Sequence, residues 1–143
     1  MNSNNLTILT DFLKRNGITD SAKIANIVSG FDLTKAVYPQ MIEPTDRLFQ
    51  FLRNEESGRP EPQTGNWFCL IGATMDALAI FGGGAGRRLQ EFRVKIPVLA
   101  IEGTAKHMRQ DWRWAGGGSG GATQIYLPPQ ALYLLEGVGT HLP

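Results

Sequence analysis

Residues 115–127 of this 143-residue chain read AGGGSGGATQIYL, and we expect the rest of the chain to be organised around this stretch. Five glycines stand shortly before Gln124, and glycine allows backbone conformations and close approaches to a ligand that other residues do not. The β-forming residues 125–127, followed by two prolines, predict a short strand that has Gln124 and Tyr126 on one face. We therefore expect Gln124 at the mouth of a strand beside a glycine loop. The alternative is a surface loop that precedes an edge strand.

The composition is that of an ordinary globular domain, with 42% hydrophobic and 19% charged residues. Fourteen basic and thirteen acidic side chains leave a net charge of +1, which gives no electrostatic argument for binding nucleic acid or a membrane. Cys69 is the single cysteine, and His107 and His141 lie far apart, so we expect no disulfide, no metal site and no Cys-His pair. We find no transmembrane span and no signal peptide, and we expect the protein to work in a cytosol.

Residues 1–31 are predicted to form a helical packing segment. The apolar residues within 5–16 recur at helical spacing, and Gly17 follows the last of them. A second short helix is expected after Asp20, with Gly30 closing it. Nothing in this segment suggests chemistry.

From residue 32 onward the hydrophobic pattern is typical of strands, so residues 32–143 are expected to form the core. Strands are predicted over 33–37, 47–53, 65–70, 90–98, 123–127 and 131–138, a helix over 104–114 and a loose tail over 139–143. The glycine cluster 82–86 precedes a strand rather than opening a helix, which excludes a dinucleotide-binding β-α-β unit. The pattern therefore predicts an α+β fold with split antiparallel sheets and two small N-terminal helices.

The predicted strand 47–53 carries an amide among leucines. Alternation places Arg47 and Arg53 on one face and Gln50 on the other. A buried amide without partners costs on the order of 1–3 kcal/mol. Gln50 therefore either meets a backbone group or faces a cavity in which something binds.

Two further groups are candidates for a binding site. Trp67 and Phe68 can form a wall on which a flat ring stacks, or they can belong to the core. Asp111 is the carboxylate nearest the glycine loop in sequence, and its alternative role is an ion pair with Arg109 or Arg113.

The order of these pieces resembles a known family. RLFQFLR at 47–53, GNWFCL at 65–70, FRVKIPV at 92–98 and GGGSGGATQ at 116–124 are similar in sequence order to toxin domains of bacterial competition that destroy NAD. These include the tuberculosis necrotizing toxin type and the NAD glycohydrolase effectors of type VI secretion and Rhs proteins. The resemblance covers about residues 32–138. It implies an ADP-ribosyltransferase-like catalytic core that hydrolyses NAD, and NADP as well, to nicotinamide and ADP-ribose.

The resemblance also implies site residues. Gln124 looks like the active-site glutamine of the necrotizing-toxin type, and Gln50 and Asp111 resemble the glutamine and aspartate of one type VI group. No metal and no cofactor besides the NAD or NADP substrate are implied, and the R-S-E, E-x-E and Q-x-E signatures of transferases are absent. The implied substrate-binding residues are Arg47, Arg53, Asn66, Trp67, Phe68 and Gly121.

Nicotinamide leaves NAD as a neutral molecule, so its departure needs no general acid. The site must instead stabilise an oxocarbenium-like transition state and place a water. The missing second glutamate near Gln124 favours hydrolysis over transfer to a protein or RNA acceptor, and a non-catalytic binding module is a further alternative. The resemblance implies a secreted effector that acts in the target cell's cytoplasm, a cognate immunity protein and delivery by a larger effector or a secretion apparatus.

Overall fold

The computed structural model describes residues 3–53, 66–70, 87–106 and 121–141. Within these ranges the chain contains two α-helices, seven strands and a 3-10 helix. Their bounds are α1 Ser3–Arg15, α2 Ser21–Val28, β1 Tyr38–Ile42, β2 Leu48–Arg53, β3 Trp67–Cys69, β4 Arg87–Val94, β5 Val98–Thr104, β6 Thr123–Tyr126, the 3-10 helix Pro129–Leu134 and β7 Leu135–His141.

The strands form one antiparallel sheet in the order β1-β5-β6-β3-β2-β4-β7. The predicted combination of helices with antiparallel strands is thereby confirmed, although the strands lie in one sheet where split sheets were expected. The pairing in the middle of the sheet is short: among the described residues β2 and β3 share one register pair, Phe49 with Cys69, whereas β2 and β4 share six. Beside that pair, Gln50 Nε2 donates to the Trp67 carbonyl at 2.8 Å.

Each face of the sheet carries its own hydrophobic core. The helices α1 and α2 pack on one face, where Leu13 and Ile27 meet Ile101 and Tyr126. The 3-10 helix packs on the other face, where Ala131 joins a cluster of residues from six strands, among them Phe68, Phe92 and Ile125. Burying a large apolar side chain contributes about 1.5–3 kcal/mol, so these two clusters are the main source of the fold's stability. We call the two sides the helical face and the opposite face.

Both helices begin and end close to where local signals predict. Asp20 caps α2 by accepting a hydrogen bond from the Lys23 amide at 2.8 Å. Gly17, which follows α1, has a φ of 84°, a conformation that favours glycine. Leu9, Phe12 and Leu13 form the buried stripe of α1.

One predicted strand, the start of a predicted helix and part of a second predicted strand were wrong. Residues 33–35 form a turn instead of a strand, because Asp32 Oδ1 accepts from both the backbone and the hydroxyl of Thr34. Residues 36–37 lead from this turn into β1. Residue 104 belongs to β5 instead of starting a helix, and residues 107–114 lie outside the described ranges.

The second strand, predicted over 131–138, was wrong for residues 131–134 and was confirmed for 135–138. Pro129 instead starts the 3-10 helix, because proline suits the first turn of a helix and cannot donate to a sheet. The strand β7 then runs through residues expected to be loose, and it pairs with β4.

Candidate functional site

Gln124 lies in the middle of the sheet, in β6, opposite Gly103 of β5 and Cys69 of β3. The residue is 7% exposed and shares the helical face with Tyr126, as the strand alternation predicted. Its Nε2 donates to the carbonyl of Gly30, just after α2, at 2.6 Å. Within the described part of the chain its Oε1 accepts no hydrogen bond. The amide is thus held by its nitrogen, and its oxygen is left to receive a donor.

The glycine-rich segment leaves and re-enters the sheet close to Gln124. The Gly121 amide donates to Ala105 O at 2.9 Å, and the Ala105 amide donates to Ala122 O at 2.8 Å. Gly121 has a φ of 93°, so glycine is required there although an added Cβ would meet nothing within 4 Å. These bonds bring together the two ends of the segment 107–120. That segment includes Asp111 and most of the glycine run, and it lies outside the described residues.

The two candidate aromatic residues lie on opposite faces. Trp67 packs on the helical face, 5.0 Å from the Phe31 ring and 5.1 Å from the Tyr126 ring. Phe68 is buried in the other core, where its ring lies edge-on to Phe92 at 5.7 Å. Only Trp67 therefore shares a face with Gln124.

Gln50 and Asn66 bond to backbone groups of the strands. Gln50 shares the opposite face with Leu48, so the structure does not place it on the face of Gln124. Asn66 Nδ2 donates to Leu127 O at 2.9 Å, and the Leu127 amide donates to Asn66 O at 2.8 Å. This reciprocal pair extends the contact between β3 and β6 beyond the strands. Contacts of Gln50 and Asn66 with a substrate stay predictions.

Arg47 binds the buried carboxylate of Glu91, which lies on the helical face. Its Nε and Nη2 donate to the two oxygens of Glu91, each at 3.0 Å, and its guanidinium lies 5.2 Å from the centre of the Phe49 ring. The hydrogen bond with Glu91 raises the pKa of Arg47. Arg53 ends β2 opposite Arg87, and its side chain is outside what the structure describes.

Glu91 is a polar residue of this face that the sequence analysis missed. Glu91 is paired with Phe49 across the sheet and is only 4% exposed. Alternation along β4 predicts a polar face for this strand but does not predict that one of its carboxylates is buried. Register pairs join Gly103, Gln124, Cys69, Phe49 and Glu91 into one row across the helical face. Gln124 and Glu91 lie three strand spacings apart in this row, roughly 14 Å. The row therefore carries an amide acceptor near one end and an arginine-carboxylate pair at the other.

A cavity of about 160 Å³ opens on the opposite side. Among the described residues, Arg47 is the predicted site residue that borders it. The described lining residues are Gln40, Ile42, Asp46, Arg47, Leu48, Leu70, Glu102 and Ile125.

Cys69 lies beside Gln124 in the row, and burial raises its pKa to about 12, so its thiol is neutral. In the described ranges no three His, Cys, Asp or Glu side chains are grouped as metal ligands. No helix there is long and apolar enough to cross a membrane.

No family model and no curated protein sequence matches this chain. Two solved structures are similar to it in fold. Tse6, in its complex with Tsi6, aligns with a TM-score of 0.76 and 20% identity over 96% of each chain. Rhs1-CT, in its complex with the cognate immunity protein RhsI1, aligns with a TM-score of 0.51 and 20% identity over 79% of this chain and 83% of its own. At this identity the likeness shows a shared fold.

Proposed function

We propose that this chain is an antibacterial toxin domain that hydrolyses NAD and NADP to nicotinamide and ADP-ribose. The shared fold with Tse6 and Rhs1-CT supports an effector toxin. The sequence resemblance to NAD-destroying toxins with an ADP-ribosyltransferase-like core supports the reaction and the substrate.

The observation that carries the proposal is the orientation of Gln124. Its nitrogen is bound to Gly30 O, and its oxygen is left as an acceptor beside the ends of the segment 107–120. Cleavage of the nicotinamide bond builds positive charge on the ribose and needs a positioned water. An amide oxygen can meet both needs, since it can face the cation or hold a hydroxyl or a water.

Arg47 supports the same assignment from the other end of the row. Two of its N–H groups bind Glu91, and within the described residues it donates to no other group. The remaining donors of a guanidinium suit a phosphate, which arginine binds through paired hydrogen bonds. Glu91, the carboxylate that binds Arg47, lies roughly 14 Å from Gln124 along the row, a spacing compatible with an extended dinucleotide.

We further propose a cognate immunity protein as the partner of this domain. Rhs1-CT is bound to a cognate immunity protein, and Tse6 is bound to Tsi6. Delivery within a larger effector or by a secretion apparatus, with action in the cytoplasm of the target cell, completes the proposal.

The test is to incubate the purified protein with NAD or NADP and to measure nicotinamide and ADP-ribose by chromatography. We expect both products in equal amounts. Gln124→Ala should lower kcat/KM by about 10²–10³, the usual cost of removing one group that stabilises a transition state. Gln130→Ala is the matched control, because Gln130 is an exposed glutamine whose Nε2 donates to Asn16 Oδ1, far along the chain from the candidate site.

Two further variants test the other predicted catalytic residues, Asp111→Ala and Gln50→Ala. Nicotinamide release without free ADP-ribose would replace hydrolysis by transfer to an acceptor. An absence of turnover with both dinucleotides would refute the proposed reaction and favour a binding module.

A further inference from the structure

Gly30 is a glycine for a steric reason. It is not one of the described glycines with a positive φ, so its backbone conformation does not require glycine. A Cβ added there would lie 3.0 Å from Trp67 Cη2 and 3.2 Å from Cζ2. The Trp67 ring would therefore have to shift by a few tenths of an ångström to admit a side chain at residue 30.

The carbonyl of Gly30 connects the residues after α2 to Gln124 and to Lys106 through two hydrogen bonds. It accepts from Gln124 Nε2 at 2.6 Å and from the Lys106 amide at 3.1 Å. Lys106 is the last described residue before the segment 107–120, and Gly30 itself follows α2. A shift of this single carbonyl would therefore move both the Gln124 amide and the backbone of Lys106.

A glutamine amide has two orientations, related by a half-turn, that exchange its oxygen and nitrogen. A carbonyl can only accept a hydrogen bond, so it selects the orientation in which the nitrogen points toward it. We propose that Gly30 is a positioning residue for the reaction, because its carbonyl fixes Gln124 with Oε1 toward the substrate. This inference rests on the proposed function.

The fixed orientation limits what Gln124 can bind. An amide oxygen accepts hydrogen bonds and donates none, so its partner on the substrate side must be a donor. The donors that cleavage of the nicotinamide bond offers are the attacking water, the ribose hydroxyls and the carboxamide N–H group. Gln124 thus acts as an acceptor in the site rather than as a donor to an anion.

The first test is Gly30→Ala, with Gly137→Ala as the matched control. A Cβ at Gly137, on the edge strand β7, would meet Gln90 Nε2 at an ordinary 3.6 Å. We expect Gly30→Ala to lower kcat at least tenfold with little change in KM, while Gly137→Ala keeps native kinetics. Native kinetics in Gly30→Ala would overturn the inference.

A steric rescue separates positioning from a general loss of structure. Phenylalanine lacks the two Trp67 atoms that an alanine at residue 30 would contact, so Trp67→Phe opens that space. We expect Gly30→Ala to cost less than threefold in kcat when it is added to Trp67→Phe. An equal cost in both backgrounds would contradict the steric account.

The second test, Gln124→Glu, introduces no steric change and so stays informative if Gly30→Ala fails to fold. A carboxylate would face the Gly30 carbonyl with two acceptors, whereas the protonated acid can donate to that carbonyl and still present an oxygen. We expect kcat of the variant to rise as pH falls through the carboxyl pKa, which burial and the facing carbonyl raise. The native enzyme should not show this increase in kcat at low pH.

The neighbouring groups do not account for such a pH profile. The hydrogen bond from the Thr34 side chain lowers the pKa of Asp32, the carboxylate two residues after Gly30. Asp32 therefore stays charged as the pH falls through the raised pKa of the carboxyl that Gln124→Glu introduces.

Among the described residues, burial raises the pKa of both Cys69 and Tyr126 on this face, so both stay neutral. The side chain of Lys106 is exposed. A Gln124→Glu variant that is fully active at high pH would overturn the inference.

The two proposals fail in different ways. If the native protein cleaves neither NAD nor NADP, the proposed function fails, and the role of Gly30 fails with it. If the native protein is active and Gln124→Ala is not, but Gly30→Ala and Gln124→Glu behave like the native protein, only the positioning role is wrong.

Discussion

Asn5 links α1 to the residues just before β1, and its removal gives a quantitative test of the fold. The residue is 6% exposed. Its Nδ2 donates to Leu33 O at 2.9 Å and to Lys35 O at 2.8 Å, and its Oδ1 accepts from the Val37 amide at 3.4 Å. One side chain thereby fixes the turn that leads into β1 against the first helix.

We expect Asn5→Ala to lower the free energy of unfolding by about 1.5–2 kcal/mol. Each of the two short hydrogen bonds contributes about 1 kcal/mol net, and the bond at 3.4 Å adds little. The higher helix propensity of alanine offsets up to about 0.5 kcal/mol of this loss.

The assay is urea unfolding followed by far-UV circular dichroism at pH 7. Asp11→Ala is the control, because Asp11 is exposed on the same helix and should change stability by no more than about 0.5 kcal/mol. If Asn5→Ala also changes stability by no more than this amount, the reasoning from its hydrogen bonds is refuted.

Asn5→Asp sharpens the same test through its pH dependence. The carboxylate would face two carbonyls, so its pKa in the folded state should rise above the unfolded value of about 3.9. A raised folded-state pKa favours folding at low pH and loses that contribution as the pH rises. We therefore expect Asn5→Asp to be less stable than Asn5→Ala at pH 7 and to approach it near pH 4. Equal stability of the two variants at pH 7 would contradict the donor role of Nδ2.

Two further predictions concern the helical face. Gly103→Ala should destabilise the fold by about 1–3 kcal/mol in urea unfolding, because a Cβ there would lie 2.6 Å from Phe31 Cδ1 and 3.3 Å from Val37 Cγ2; a loss no larger than that of Gly137→Ala would contradict this packing. Cys69 should react with a thiol reagent at pH 8 only as fast as the protein opens, because the thiol is buried and burial raises its pKa to about 12; rapid labelling of the folded protein would show the face to be open.

Local signals were sufficient for the helices and for the alternation of β6. The Asp20 cap depends on residues within one turn, and the two faces of β6 follow from alternation alone. Local signals failed for residues 33–37, where an apolar run resembles a strand. There the Asp32 side chain gives the Thr34 amide a bond that competes with a sheet, a choice that hydrophobic periodicity does not register.

The arrangement of all the described strands in a single sheet could not be predicted from the sequence either. Strand order depends on which edges meet, and β3 lies between β6 and β2, which are far from each other along the chain. The row that contains Gln124 and Glu91 exists only in this order. Glu91 therefore reads in the sequence as one charge on a polar face, although its carboxylate is buried under the guanidinium of Arg47.

Gln124 shows why a candidate site residue can be proposed from the sequence when the groups that hold it in place cannot. Gln124 stands out because a polar residue follows a run of glycines, a contrast between neighbours in the chain. Its orientation is set by a carbonyl 94 residues away, and every residue carries a carbonyl, so no side-chain pattern marks this one. The sequence does hold a trace of the contact, since residue 30 must be small where the Trp67 ring lies against it. The small size of residue 30 can be explained only once packing has brought it against the Trp67 ring, which the order of residues along the chain does not reveal.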